Sequence, residues 1–198
     1  MKYLDQIKAS FDSIEETRKP LLKPLINYIQ NKKERNEACD LVFICTHNSR
    51  RSHFSQIWAQ IAIDHYALDF IHTYSGGTEA TAFNIRAVNA LKNAGLKIEI
   101  DHPDNINPVY TIHYGDGKTM EAFSKTFDDA SNPQDNFAAV MTCDDVDQNC
   151  PTVLGAETRI PLYYIDPKIT DDSLKETETY RERCKQIATE LFYVFSQI

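Results

Sequence analysis

The stretch that decides the fold is residues 41–52, LVFICTHNSRRS. Its first four residues form a continuous apolar run, which is typical of a central parallel strand covered on both faces. A polar loop follows, and Phe54, Ile57, Trp58 and Ile61 then recur at helical spacing. The sequence here predicts a strand, a loop and a helix in succession.

Strands and helices continue to alternate after this stretch. The further predicted elements are a strand at 70–75, a helix at 84–94, a strand at 137–142, a strand at 160–165 and a final helix from about Ser173. This alternation predicts an α/β fold, a three-layer sandwich with a mostly parallel central sheet. Between residues 101 and 136 the periodicity fades and turn residues accumulate, so that we expect only a short helix at 118–126 there.

The beginning of the chain has a different character. Its apolar residues lie at helical spacing but are interrupted by Pro20 and Pro24, which predicts two helices joined near Lys19. We therefore divide the chain into an N-terminal helical extension, residues 1–38, and an α/β domain, residues 39–198. A packing or dimerisation role is favoured for the extension over substrate recruitment.

Composition limits the classes of function. The chain has 198 residues, 42% of them hydrophobic and 25% charged, as in ordinary globular domains. A net charge of −8 argues against broad binding to nucleic acid or an anionic membrane. No secretory signal or membrane-spanning run is visible, and the five cysteines do not suggest a secreted disulfide framework. The expected location is cytoplasmic.

The loop from Cys45 to Ser52 carries the predicted chemistry. It leaves the carboxyl end of a strand and enters a helix, where unpaired amides and the helix dipole favour an anion. The same features stabilise the thiolate of Cys45, which is the reactive form of cysteine. Arg51 offers a planar fork for two oxygens of a tetrahedral anion. Ser52 can donate to the Cys45 sulfur, and Asn48 tolerates the left-handed conformation of a tight turn.

These residues resemble the low-molecular-weight phosphotyrosine phosphatase superfamily, whose loop is Cys-x5-Arg-Ser. The segment 143–151 resembles the redox segment of thioredoxin-coupled arsenate reductases, in which two cysteines lie seven residues apart. The segments 74–79 and 164–167, YSGGTE and YIDP, are also similar to parts of the family's site. The resemblance covers residues 41 to the end and implies that residues 39–198 form the catalytic domain.

The resemblance to arsenate reductases implies a relay of thiols. Cys45 attacks arsenate, Cys143 attacks Cys45 and releases arsenite, and Cys150 attacks Cys143 and presents the new disulfide to thioredoxin. Arsenate or phosphate would lie within a loop whose oxyanion-binding residues are Thr46, His47, Asn48, Ser49, Arg50 and Arg51. His47 and Arg50 depart from the residues common in the family and add bulk and charge at its rim.

Two alternatives remain open. In the first, the protein is a phosphotyrosine phosphatase in which Asp166, stiffened by Pro167, protonates the leaving oxygen; the absence of a tyrosine pair after Pro167 argues against an aromatic slot. In the second, it is a non-catalytic module that binds oxyanions or phosphoproteins. No cofactor or metal is predicted, because the histidines are scattered and Gln56 replaces a glutamate that assists a potassium site in some arsenate reductases.

Overall fold

The computed structural model describes residues 2–115, 117–144 and 152–198 of the chain. Within them the helices are α1 (Lys2–Ala9), α2 (Lys19–Glu34), α3 (Arg51–Tyr66), α4 (Ile85–Asn93) and α5 (Glu176–Phe195). The strands are β1 (Cys39–Cys45), β2 (Ile71–Gly77), β3 (Lys97–Asp101), β4 (Val109–Gly115), β5 (Lys118–Ala122), β6 (Phe137–Met141) and β7 (Ala156–Pro161). Short 3-10 turns cover Phe11–Ser13 and Pro167–Thr170. None of the helices in the described ranges is long and apolar enough to cross a bilayer.

The central sheet contains four parallel strands in the order β2-β1-β6-β7. Cys45 is paired with Gly77, and Ile44 is paired with Met141. The carboxyl ends of β1, β2 and β6 therefore meet at one edge of the sheet, which is where open α/β sheets bind ligands. The predicted α/β fold with a parallel central sheet is confirmed.

Both faces of this sheet are buried. Leu41 and Phe43 on β1 belong to the larger apolar cluster, which the helices share, whereas Val42 and Ile44 belong to a smaller cluster on the other face. Successive side chains of a strand point to opposite faces. A strand that is buried on both faces must be apolar at every position, which explains the uninterrupted run in the sequence.

The N-terminal extension packs into the larger cluster. Ile7, Leu22, Leu25 and Ile29 are fully buried there. The ring of Tyr3 on α1 stacks on Trp58 of α3 with centroids 5.5 Å apart, and the Trp58 indole Nε1 donates to the Cys184 sulfur on α5 at 3.2 Å. The predicted helical extension is confirmed, with its second helix beginning at Lys19.

The prediction of a helix at residues 118–126 was wrong. Strand β5 occupies this region, and β3, β4 and β5 form a separate antiparallel sheet. Gly115 and Gly117 adopt φ angles of 130° and 76°, which allow the chain to reverse between β4 and β5. Backbone pairing with β4 decides the conformation, because a five-residue segment has little intrinsic helical stability.

Two elements also have boundaries that differ from the predictions by three residues or more. Strand β7 begins at Ala156 and ends at Pro161, earlier than the predicted strand at 160–165. Leu162 and Tyr164 still donate single backbone hydrogen bonds to Met141 and Thr142, so the chain remains extended beyond the strand. The last helix begins at Glu176 rather than near Ser173.

Candidate active site

The loop after β1 is held from outside through its carbonyl groups. The backbone carbonyls of residues 45, 46, 47 and 49 each accept a hydrogen bond from a neighbouring segment: Thr78 N to Cys45 O at 3.3 Å, Glu79 N to Thr46 O at 2.9 Å, Ser124 Oγ to His47 O at 2.9 Å and Asn84 N to Ser49 O at 3.0 Å. These bonds fix the backbone of the loop over nearly its whole length.

The amides of the same loop are in a different situation. None of the backbone amides of residues 46–50 donates a hydrogen bond to another residue in the described ranges. Helix α3 starts at Arg51, so the partial positive charge of its first turn adds to that of the loop amides. A loop with bonded carbonyls and available amides can bind a tetrahedral anion, as predicted from residues 45–52.

Cys45 lies at the start of this loop with only 4% of its surface exposed. Its sulfur is 3.0 Å from the Ser52 Oγ, which also accepts a hydrogen bond from the Asn48 Nδ2 at 2.8 Å. Because the serine oxygen already accepts from Asn48, its own proton can be donated to the sulfur. The structure thus places the Ser52 hydroxyl where it can donate to the Cys45 sulfur, the contact that the sequence predicted.

Asn48 fixes the turn of the loop. It has a φ angle of 43°, which asparagine tolerates better than most residues, and its Oδ1 accepts from the backbone amide of Lys125 at 2.9 Å. A Cβ on Gly77 would lie 2.6 Å from the Asn48 amide nitrogen and from the Thr46 carbonyl oxygen, so only glycine allows this approach. The segment that follows β5 thus supports the loop, which the sequence did not predict.

Arg51 connects the loop to Asp166. Its guanidinium donates to the Tyr164 carbonyl at 3.0 Å and to the Asp166 Oδ2 at 2.8 Å. The other carboxylate oxygen of Asp166 accepts from the backbone amide of Lys168 at 3.0 Å, which caps the 3-10 turn. The Arg51 Nε is buried and has no hydrogen-bond partner among the described residues, so it remains available for an anion.

Arg50 makes contacts that the sequence did not indicate. Its Nε donates to the Tyr180 hydroxyl at 2.7 Å, and that hydroxyl donates to the Asp171 Oδ1 at 2.8 Å. Burial raises the pKa of Tyr180 to about 12, so the hydroxyl stays neutral. The side chain of Arg50 is thereby tied to α5. Nothing in the spacing of Tyr180 or Asp171 pointed to this contact.

Cys143 lies close to the loop. It lies two residues beyond the end of β6, is fully buried, and belongs to the same apolar cluster as Cys45, the smaller of the two clusters that cover the sheet. Its sulfur is 3.7 Å from the Thr46 Oγ1. The structure therefore brings Cys45, Arg51, Ser52, Asp166 and Cys143 to one edge of the sheet. The predicted Cys150 lies outside the described residues.

The remaining loop side chains have separate partners. The His47 ring is about half exposed, with its Nε2 3.6 Å from the Glu79 carboxylate. The Ser49 hydroxyl donates to the Ala82 carbonyl at 2.6 Å. These side chains face partners outside the loop, so the anion-binding capacity of residues 46–49 rests on their amides.

Comparison with known proteins agrees with the motifs. No protein-family model matches the chain. An arsenate reductase of Staphylococcus epidermidis is 30% identical over 111 residues, which cover 56% of this chain and 65% of the relative. An arsenate reductase of Bacillus licheniformis is 37% identical over 68 residues, 34% of this chain and 46% of the relative. The chain thus spans less than two thirds of the length of these relatives.

Solved structures define the fold. A low-molecular-weight phosphotyrosine phosphatase from Vibrio cholerae superposes with a TM-score of 0.51 at 17% identity, covering 78% of this chain and 92% of that protein. The arginine phosphatase YwlE, with a phosphorylated active-site serine, gives 0.51 at 13% identity and covers 80% and 94%. The protein has the low-molecular-weight phosphatase fold, and its sequence is similar to arsenate reductases, which confirms the predicted resemblance.

Proposed function

We propose that this protein reduces arsenate to arsenite in a thiol-dependent reaction, with Cys45 as the nucleophile. The Cys45 thiolate attacks arsenic(V) and displaces an oxygen as water, which leaves a covalent sulfur–arsenic bond. The loop amides and Arg51 neutralise the oxyanion during this step. The hydrogen bond from Ser52 stabilises the sulfur before the attack and when it leaves.

The second step requires a further thiol. The Cys143 thiolate attacks the Cys45 sulfur, a disulfide forms, and the electron pair of the sulfur–arsenic bond stays on arsenic, which leaves as arsenite. The observation that carries the proposal is the position of Cys143, which is buried in one cluster with Cys45, with its sulfur 3.7 Å from the Thr46 hydroxyl. No phosphatase reaction needs a second thiol at this place.

The last step restores Cys45. Cys150 attacks the Cys143 sulfur, frees the Cys45 thiolate and leaves a Cys143–Cys150 disulfide, which thioredoxin or a similar dithiol reduces. Such a reductant is the expected partner, and a cytoplasmic location would supply it. Sequence similarity to proteins named arsenate reductases supports this assignment.

The test is arsenate-dependent oxidation of NADPH in the presence of thioredoxin and its reductase. Cys143→Ser should abolish repeated turnover, and Cys150→Ser should stop after one turnover and trap a Cys45–Cys143 disulfide, which peptide mass spectrometry identifies. Cys184→Ser, which replaces a buried thiol on α5, is the control and should keep repeated turnover. If Cys143→Ser and Cys150→Ser both reduce arsenate at the parent rate, the relay is wrong.

Phosphoester hydrolysis is the second candidate, because Asp166 is held 2.8 Å from the oxyanion-binding Arg51. A carboxyl group in that place could protonate the leaving oxygen of a phosphoester while Cys45 takes the phosphoryl group. Hydrolysis of p-nitrophenyl phosphate should be measured beside arsenate reduction. If the protein only binds oxyanions, the parent should show neither activity, and the Cys45→Ser variant should still bind them.

A further inference from the structure

We propose that Arg18, in the linker between α1 and α2, is a positioning residue for the candidate active site. It precedes residue 41, where the family motifs of the sequence begin. Its Nη1 donates to the Tyr163 carbonyl at 2.9 Å, and its guanidinium carbon lies 4.9 Å from the centre of the Tyr164 ring. The N-terminal extension therefore contacts the segment that ends in Asp166, residues 163–166, which we call the acid segment.

The acid segment is held by two arginines from different parts of the chain. Arg18 binds the carbonyl of Tyr163, and Arg51 binds the carbonyl of Tyr164 and the carboxylate of Asp166. Both consecutive carbonyls thus depend on a guanidinium for their position. If the acid segment shifted on loss of Arg18, the Tyr164 carbonyl that accepts from Arg51 would move, and so would the Asp166 carboxylate.

Arg18 is itself fixed by a buried carboxylate. Its Nε and Nη2 donate to the two carboxylate oxygens of Glu190 on α5 at 3.0 and 2.7 Å, and the Glu190 side chain is only 3% exposed. A bidentate pair of this kind fixes the plane of the guanidinium. Gln186 donates to the same carboxylate at 2.9 Å, so Glu190 is anchored on its own helix. The geometry of Arg18 is therefore preset before a substrate binds.

The Tyr164 ring is buried in the larger apolar cluster and the Tyr164 amide donates to the Thr142 carbonyl, but the acid segment borders a cavity on the side of the N-terminal linker. A cavity of about 540 Å³ lies between the N-terminal linker and α5, and residues 163–165 line it together with Arg18 and Glu190. Where a cavity replaces close packing, a segment loses the contacts that would otherwise hold it. Arg18 lies at the edge of this cavity, and its hydrogen bond and ring contact hold the acid segment where close packing is absent.

The test must separate positioning from folding. Removing Arg18 alone would leave Glu190 buried without its counter-charge, which is strongly destabilising. The informative pair is Glu190→Gln, which keeps the contacts of Arg18 with the acid segment, and the double variant Arg18→Gln with Glu190→Gln, which loses them. Arg35→Gln, at the exposed end of α2, is the matched control in the same extension.

Three measurements on these variants decide the proposal. Hydrogen exchange of the amides of residues 163–168 should be faster in the double variant than in Glu190→Gln, while exchange in β1 and β6 stays the same. Hydrolysis of phenyl phosphate, whose leaving group needs a proton, should fall roughly 10-fold, a part of the usual 10²–10⁴-fold general-acid contribution. Hydrolysis of 2,4-dinitrophenyl phosphate, whose leaving group does not, should fall less than about twofold. Arg18→Lys should recover part of the loss.

Unchanged exchange, or equal losses on both phosphoesters, would overturn the positioning role. The kinetic measurement rests on the proposed chemistry of the site, whereas hydrogen exchange does not. If the parent protein hydrolyses neither phosphoester, protection of Cys45 from iodoacetamide by phosphate replaces the kinetics, and if it also fails to reduce arsenate, the proposed function fails. The double variant should then need several-fold more phosphate than Glu190→Gln for half protection, and an equal requirement would count against Arg18.

Discussion

Strand β1 begins and ends with a cysteine, and both side chains are buried, with Cys39 0% and Cys45 4% exposed. Burial raises the pKa of Cys39 to about 12, and no described residue makes a hydrogen bond to its sulfur. At the other end, Cys45 has the Ser52 hydroxyl at 3.0 Å and the start of α3 beside it. The same residue type on the same strand thus meets two opposite environments.

The difference comes from the direction of the strand. In a parallel sheet the carboxyl ends of the strands lead into helix N-termini, whose amides favour an anion. At its amino end the strand receives no such amides, and a buried thiol is kept neutral. Burial alone therefore does not make a cysteine reactive, and the two ends of β1 can be compared by experiment.

The largest expected effect is a loss of activity when Cys45, at the carboxyl end of β1, is replaced. Replacement of Cys39, at the amino end, should not cause this loss. Cys45→Ser should lower arsenate reduction or phosphoester hydrolysis by more than about 10⁴-fold, because serine replaces the thiolate that attacks the substrate in either proposed mechanism. Cys39→Ser places a hydroxyl in an apolar site, so it should reduce stability but keep turnover in the folded protein. Steady-state rates and circular dichroism of the two variants check this, and substantial activity in Cys45→Ser would refute the site.

The second prediction concerns Asp166, the proposed general acid near the carboxyl end of β1. Asp166→Asn should reduce hydrolysis of aryl phosphates by roughly 10²–10⁴-fold, because the amide cannot protonate the leaving oxygen. Arsenate reduction has no alcohol leaving group and should lose less. Asp69→Asn, an exposed aspartate just before β2, is the control at the opposite edge of the sheet. An undiminished phosphatase rate in Asp166→Asn would remove Asp166 from the site.

The third prediction compares the thiols directly. At pH 6, iodoacetamide should modify Cys45 at least roughly 10²-fold faster than Cys39 or Cys184, because the thiolate is the reactive species. Burial raises the pKa of Cys39 and of Cys184 to about 12. Phosphate or arsenate should protect Cys45, which peptide mapping after timed labelling will measure. Equal labelling of the three cysteines without protection would contradict the assignment.

The smallest expected effect is on stability at low pH. His53, next to Ser52 on α3, is fully buried, and burial together with the nearby Lys125 ammonium lowers its pKa to about 3. In the unfolded chain the His53 imidazole takes up a proton near pH 6.5, whereas in the folded chain it stays neutral until about pH 3. The free energy of unfolding therefore falls as the pH drops from 6.5 towards 3. The linked loss between pH 6 and pH 4 is about 2 kcal/mol.

Urea unfolding of the parent and of His53→Gln at several pH values measures this loss. The variant should be less stable at pH 7 but should show a smaller decrease between pH 6 and pH 4. His102→Asn, at an exposed position with a φ angle of 50°, should keep the parent's pH dependence. A parent-like decrease in His53→Gln would show that His53 does not carry the linkage.

The strand, loop and helix around the carboxyl end of β1 could be predicted from the sequence because their signal is local. Residues 41–52 contain the strand, the loop and the start of the helix, and the contact of Cys45 with Ser52 joins residues only seven positions apart. The carboxyl ends of β1 and β6 were also predictable, since parallel strands bring Cys45 and Cys143 to one edge. These inferences needed only periodicity and strand direction.

The supports of the site were not predictable in the same way. Arg18 contacts the Tyr163 carbonyl across 145 positions, and Arg50 contacts Tyr180 across 130 positions. Neither contact can be predicted from the spacing of nearby residues, because both depend on how α5 and the N-terminal extension pack. The antiparallel sheet was missed for a related reason: β5 is specified by its pairing with β4 rather than by its own composition.

The contact between Trp58, Tyr3 and Cys184 has a practical consequence for spectroscopy. Trp58 is the single tryptophan of the chain. Its indole is in contact with a thiol, which quenches fluorescence, and with the aromatic ring of α1. Separation of α1 from α3 would expose the indole to water and shift its emission to longer wavelength. The protein therefore carries an intrinsic optical reporter of whether its N-terminal extension is in place, which can be read without labelling.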